Sequence, residues 1–400
     1  MKKVVLAFSG GLDTSYCAVY LSKEMGLEVH AALADTGGFS ERELAEIERR
    51  ALGLGVKSFI ALDVTKDYYE RAIKYMVFGN VLKNGSYPIS VSSERISQAT
   101  AVAKYAREIK ADYLCHGSTG AGNDQIRFDM IFNIIAPEIE VLALIREKRL
   151  SRNEEIAYLR RHGVDFDFGK AEYSINQGLW GTSVGGKETL TSSETLPEKA
   201  YPSQLEAKES RRITLTFEKG EFKGLEGKMY ENPIDAIKAL QKIAAQYAIG
   251  RDMHVGDTII GIKGRVGFEA AAPLIIIKSH HMLEKHTLTK WQLFWKDQIA
   301  AFYGNYLHEG QYYDPVMRDF EAMLASSQRT VSGDVFVDLY PYRFVVVGIE
   351  SRHDLFNTKF GAYGETMSDW SADDCKGFGK IFGYQNKMYH LINSDPEEKK

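Results

Sequence analysis

Residues 6–15 of the chain read LAFSGGLDTS. Ser9, Thr14 and Ser15 supply hydroxyls, Gly10 and Gly11 leave the backbone bare, and Asp13 brings one negative charge. A glycine turn between a buried strand and a helix aims several backbone N–H groups at one point. Together with the helix dipole they make an anion site. Gly10 and Gly11 let phosphate approach the backbone, whereas Asp13 repels it unless a cation such as Mg2+ lies between them. The stretch therefore predicts a nucleotide held with its metal. The plainer alternative is a tight strand–helix turn with a serine or aspartate cap. Neither GxxxxGK[ST] nor GxGxxG after the first strand occurs. GFGKIFG at 377–383 has glycines without a strand–helix–strand context and reads as packing or a turn.

The elements that must position this turn follow from hydrophobic period. Residues 4–8 form a short continuous apolar run, the mark of a strand covered on both faces. Residues 14–25 carry helical spacing through Cys17, Leu21 and Met25, stopped by Gly26. Residues 29–34 and 58–62 are further strands, separated by a helix opened by the Ser40/Glu43 capping box. Ile96, Ala99, Ala103, Ala106 and Ile109 mark one helix face, and residues 113–115 a short strand. Strand and helix alternate, so residues 1–165 read as a doubly wound α/β nucleotide-binding domain with a parallel sheet. Residues 170–203 show little periodicity and predict a long functional loop or crossover. Strands at 213–217, 335–339 and 344–348, with helical patterns at 233–247 and 287–307, predict a second, α+β domain. SDPEEKK is a solvated tail.

The chain has 400 residues, 44% hydrophobic and 26% charged, which suits two domains with substantial cores. A net charge of −4 with both signs mixed gives no electrostatic case for nucleic-acid binding. No apolar run reaches membrane-spanning length, and the short run after the basic start reads as a strand rather than a signal peptide. The three cysteines, Cys17, Cys115 and Cys375, are far apart without a CxxC, which fits a reducing cytoplasm. His280, His281 and His286 look superficially like a metal cluster but have no matching carboxylate motif.

SGGLDTS resembles the signature of the ATP pyrophosphatase (PP-loop) family, whose members cleave ATP between the α and β phosphates and adenylate a substrate. Four further segments are similar to the branch of that family that joins citrulline to aspartate: LADTG at 33–37, SYPISVSSER at 86–95, HGSTGAGNDQIRF at 116–128, and the serines at 174 and 183. The likeness is strong over the first 190 residues and continuous in order from 210 to 390. It implies an α+β synthetase domain over 166–362 and a C-terminal oligomerisation segment over 363–400 that ties a homotetramer. By the same resemblance Ala7, Ser9, Gly10, Gly11, Asp13, Thr14, Ser15, Ala34 and Gly117 hold ATP, with Asp13 on its Mg2+. Thr119, Asn123 and Asp124 take aspartate; Tyr87, Ser92, Asn123, Arg127, Ser174 and Ser183 take citrulline. Asp13, Asp124 and Arg127 carry the catalytic roles. An arginine suits a carboxylate bidentately.

The chain departs from that branch at Val91, at Ala121, and at Gly256 and Phe268, where the resemblance implies a glutamate and a tyrosine supporting the α-ammonium of citrulline. Their absence predicts open space and an α-N-acylated citrulline as the alternative substrate, with Lys263 or Arg265 as cations for a succinyl group, or Asp257 as a replacement carboxylate. A tRNA-thiolating enzyme of the same family would need catalytic cysteines and a basic surface, which the chain lacks. A bare nucleotide-binding module would need neither the second domain nor the GNDQIRF segment.

Overall fold

The computed structural model describes residues 1–120, 122–164, 172–361, 363–364 and 369–394. Ala121, part of the domain junction at 165–171, and most of the terminal SDPEEKK segment lie outside the described residues.

Strand β1 (Lys3–Ala7) is KVVLA, with Val4, Val5 and Leu6 fully buried. It takes the centre of a parallel sheet because both its faces are apolar. Around it lie β2 (Glu28–Asp35), β3 (Ser58–Asp63), β4 (Tyr113–His116) and β5 (Glu140–Leu142), in the order β3-β2-β1-β4-β5. β2 pairs on one side of β1 and β4 on the other, both parallel. The chain therefore reverses its winding between β1 and β4. In such sheets ligands settle in the crevice at the carboxyl ends of those two strands. The turn at residues 9–11 and Gly117 stand at those ends. The helix Leu12–Lys23 follows the turn, and the helix Glu41–Gly53 starts on the expected capping box, Ser40 with Glu43.

Residues 172–203 are more ordered than their composition predicts. They open with a hairpin, β6 (Ser174–Gly178) and β7 (Gly181–Gly185). A Gly-Ser-Thr-rich strand pair lacks the apolar alternation that announces a strand. It is stabilised by its partners instead. β8 (Arg211–Glu218), β9 (Glu221–Leu225) and β10 (Lys228–Met229) follow, then β11 (Arg251–Asp257) and β12 (Lys263–Glu269). β11 and β12 complete a four-stranded antiparallel sheet in the order β11-β12-β7-β6. β13 (Gly333–Tyr340) and β14 (Arg343–Glu350) join the third sheet, β10-β9-β8-β13-β14. The expected helices are present at Pro233–Ala245 and Lys290–Glu309. Thr287 ends the preceding helix, Ala271–Thr287, and Thr289 caps the next.

One buried cluster runs from Val5 and Ile96 through Trp180, Phe217 and Phe268 to Ile276 and Leu339, so the first sheet and the antiparallel sheets share a core. Residues Met1–His353 form one unit and Asp354–Lys400 another. In the latter, GFGKIFG is helical rather than a turn: it falls in the helix Ala372–Phe382 and at its C-cap, Gly383. Phe378, Ile381 and Phe382 there, with Tyr389 and Ile392 in the helix Tyr384–Asn393, are exposed. Among the described residues no helix is long and apolar enough to cross a membrane.

Candidate active site

The phosphate turn is made of backbone. Gly10 has φ +76°, a left-handed conformation that glycine adopts without strain. Its carbonyl accepts from Arg50 Nη1 at 2.8 Å. Gly11 is the N-cap and no side chain caps the helix, so its first amides are left without a side-chain partner. Ser15 Oγ donates to the Gly11 carbonyl at 2.7 Å, and Ser9 Oγ lies 3.3 Å from Thr14 Oγ1. Gly117, at the end of β4, approaches so closely that a Cβ there would lie 2.9 Å from Thr14 Cγ2 and 3.3 Å from Thr14 N. Ala7 and Ala34 stand at the ends of β1 and β2, both half-buried. Ser9, Gly11, Thr14, Ser15 and Gly117 thus come together at the start of this helix.

Asp13 has a neighbour that the sequence gives no reason to choose. Glu155, on the helix Arg152–Arg161, is buried, and its Oε2 has no hydrogen-bond partner among the described residues. Burial first, and then the charge of Asp13, push its carboxyl up to about 8. Two carboxylates beside an amide-rich turn, one with an orphaned oxygen, are a donor set that suits the hard cation accompanying a triphosphate. No group of three or more His, Cys, Asp or Glu side chains among the described residues could hold a metal by itself.

The segment after Gly117 joins the turn to the second half of the site. Thr119 is exposed. Asn123 Oδ1 accepts from the Ile259 amide at 2.8 Å, which fastens the β11–β12 loop. Asp124 accepts from Arg95 Nε at 3.0 Å and from Arg127 Nη1 at 2.8 Å. Burial alone would raise its carboxyl, but the two guanidinium groups outweigh that and hold it down at about 2. Arg127 is buried and clamped: Nε and Nη2 donate to the His308 carbonyl at 2.9 and 2.7 Å. Nη2 also lies 3.5 Å from His308 Nδ1, which leaves one N–H on Nη1 for a carboxylate.

Of the predicted citrulline residues, Ser174, Ser183 and Tyr87 lie on one face of the sheet β11-β12-β7-β6, while Ser92 and Arg127 meet at His308. Ser183 pairs with Phe268 and with Asn176, and Ser174 with Gly185, so Ser174, Ser183 and Phe268 share that face. Tyr87 packs over Phe268 at 5.2 Å and stacks on His254 at 4.8 Å. Ser92, near the start of the helix Ser90–Glu108, lies 3.1 Å from His308 Nδ1. Ser174 is exposed at the rim, whereas Ser183 is buried.

Three expectations about this face change. Gly256 does not open free space, because a Cβ there would lie 2.6 Å from His254 Nε2. The imidazole already covers it. Lys263 is spent on Asp257, at 2.5 Å and mostly exposed, so neither serves the pocket. Arg265 donates to the Glu188, Thr191 and Glu194 carbonyls and holds that loop. His254, His308, Lys83 and Glu155 escape sequence reasoning, while Arg95 closes the SYPISVSSER segment but carries no expected role. Each lies outside the glycine-rich motifs, and only the fold brings them in. Of the histidine trio, His280 is fully buried and bonded to Asn80 and Gln328, a structural network.

A parallel sheet with an anion turn at its switch point, facing a polar antiparallel sheet across a clamped arginine, defines a nucleotide-dependent enzyme of two half-sites. Residues 3–165 match the model of the arginosuccinate synthase N-terminal HUP domain, and residues 173–389 that of the arginosuccinate synthase C-terminal domain. Similar proteins include the argininosuccinate synthase of Xanthomonas axonopodis pv. citri, 36% identical over 98% of this chain and 95% of its own length. Those of Dictyoglomus turgidum (35%, 98% of each chain) and Methanocaldococcus jannaschii (33%, 97% of this chain and 98% of its own) are alike throughout. The chain belongs to the argininosuccinate synthase family.

Proposed function

We propose that the chain is an ATP-dependent carbon–nitrogen ligase that joins citrulline to aspartate through a citrullyl adenylate and forms argininosuccinate, AMP and pyrophosphate. The observation that carries this reading is the run from Gly117 to Arg127. It begins against Thr14 of the phosphate turn and ends in an arginine anchored to His308 beside the amino-acid face. One short segment thus ties ATP cleavage to substrate placement.

The ureido oxygen of the citrulline unit attacks the α-phosphorus, and the bond to the bridging oxygen breaks to release pyrophosphate. The amine of aspartate, having lost a proton, then attacks the ureido carbon; the carbon–oxygen bond to AMP breaks and a second proton leaves. Ser9, Gly10, Gly11, Thr14 and Ser15 hold the phosphates, and their amides and hydroxyls offset charge on the leaving group. Asp13, with Glu155 beside it, would hold the Mg2+ that accompanies ATP, and that ion would supply charge neutralisation there. Arg127 takes the α-carboxylate of the citrulline unit, and Tyr87, Ser92, Ser174 and Ser183 line its path. Thr119, Asn123 and Asp124 receive aspartate. The exposed apolar side chains of Asp354–Lys400 support a homotetramer formed through that segment, and the three free cysteines support a cytoplasmic site of action. The test is product analysis: with both amino-acid substrates AMP and pyrophosphate must accumulate in equal amounts, and without aspartate pyrophosphate must stop at no more than one equivalent per site, with no free AMP. ADP and phosphate as products would refute the reading.

A further inference from the structure

A carboxylate that leaves water needs partners, and Glu94 is only 3% exposed. It lies in the helix Ser90–Glu108, two residues after Ser92, yet no substrate role falls to it. Its two oxygens serve different elements. Oε2 accepts from Thr36 Oγ1 at 2.7 Å, just past the end of β2, and Oε1 accepts from Arg95 Nη1 at 3.1 Å. Burial pushes this carboxyl up to about 7, and the Arg95 charge is the strongest influence the other way. Anion and guanidinium therefore depend on each other.

The chain closes around this pair. The Thr36 carbonyl accepts from the Leu179 amide at 2.9 Å, in the turn of the β6–β7 hairpin. Gly178 beside it has no room for a side chain, since a Cβ would run into Glu94 Oε2 and lie 3.0 Å from Thr36 Oγ1. Arg95 is fastened to β2 a second time: Nη1 donates to Gln98 Oε1 at 2.7 Å, and Gln98 Nε2 donates to the Ala34 carbonyl at 3.3 Å. Its Nε then reaches Asp124 Oδ2, while Arg127 holds Oδ1. Each Asp124 oxygen keeps a further lone pair, and the side chain is 36% exposed, so this carboxylate is aimed without being covered.

We propose that Glu94 is a positioning residue for the aspartate half-site: it locks Arg95 against the end of β2, and Arg95 in turn aims Asp124 at the ammonium of aspartate. This rests on reading Asp124 as an aspartate-binding residue of an adenylating ligase. The strand end that carries Ala34 and the hairpin that carries Ser174 and Ser183 then share one anchor with Asp124.

Glu94→Gln keeps the shape and removes the charge. The full chain with Mg2+, ATP, citrulline and aspartate is assayed at pH 8, where Glu94 is ionised. KM for aspartate should rise about 10-fold, the worth of one charge-assisted hydrogen bond. The KM values for ATP and citrulline, and kcat at saturating aspartate, should stay within about twofold of wild type. Arg95→Lys should raise KM for aspartate as well, and adding Glu94→Gln to it should cost less than about twofold more, because the two side chains act as one unit. Thr36→Val removes only the hydroxyl on Oε2 and should give the same pattern at about threefold, which keeps the idea testable if Glu94→Gln does not fold. A fall in kcat with KM for aspartate unmoved, equal rises in all three KM values, or additive losses in the double variant would overturn the proposal while the wild type still forms AMP and pyrophosphate. A wild type that forms ADP and phosphate would remove the ligase reading and this proposal with it.

Discussion

The phosphate turn and the amino-acid face are built from different materials. The turn is backbone: a left-handed Gly10, an uncapped helix start, and a Gly117 that no larger residue could replace without moving Thr14. The face is side chain: Tyr87, Ser92, Arg127, Ser183, His254 and His308 come from six separate elements. Backbone sites demand particular residues at fixed spacing, so they tolerate little change. Side-chain sites can exchange one group for another and keep the fold, so substrate choice can change there without disturbing ATP chemistry.

The largest effect expected is at the backbone site. Gly117→Val would push into Thr14, and a displacement of that kind costs about 100-fold in turnover even where binding survives. Steady-state pyrophosphate release with all substrates saturating measures it. A near-native rate would show that the turn is not shaped by this contact.

Arg127→Lys sharpens the other half. A lysine cannot place two N–H groups on the His308 carbonyl, so the charge stays but the aim is lost. The cost should be about 1.5–2 kcal/mol, or roughly 10- to 30-fold in kcat/KM, appearing in KM for citrulline and not for ATP. A matching rise in both KM values would mean that the two half-sites are not separable.

A smaller effect is expected from Glu155. Its folded pKa is raised to about 8, so the native state holds its proton where the unfolded chain has lost it. The stability this contributes is fully present below the ordinary glutamate range and declines as pH rises through about 8. Glu155→Gln should flatten that decline, seen as a shallower fall in Tm between pH 6 and 9. If the variant and the wild type fall in parallel, Glu155 does not face Asp13 as described.

Much of the first sheet was legible because its strands are continuous apolar runs and its turn is marked by glycines. SGGLDTS and GNDQIRF placed both ends of the joining segment. The β6–β7 hairpin was not legible, since its Gly, Ser and Thr residues have no apolar period and their pairing depends on β12. His254 was invisible for a related reason. A lone histidine on an alternating strand says nothing until Tyr87 stacks on it from residues far away in sequence. Gly256 could be read as a vacancy in the sequence, but the neighbouring imidazole fills it. Lys263 and Arg265 were near in sequence and committed elsewhere, whereas Lys83, remote in sequence, is the cation beside the face.

The central claim is that the phosphate turn and the amino-acid face act on the same ureido oxygen. It is tested most directly by placing 18O on that oxygen in citrulline, and weighing the products. The account predicts that the label finishes in AMP and that pyrophosphate carries none. Label found in pyrophosphate, or retained in the ligated product, would contradict it.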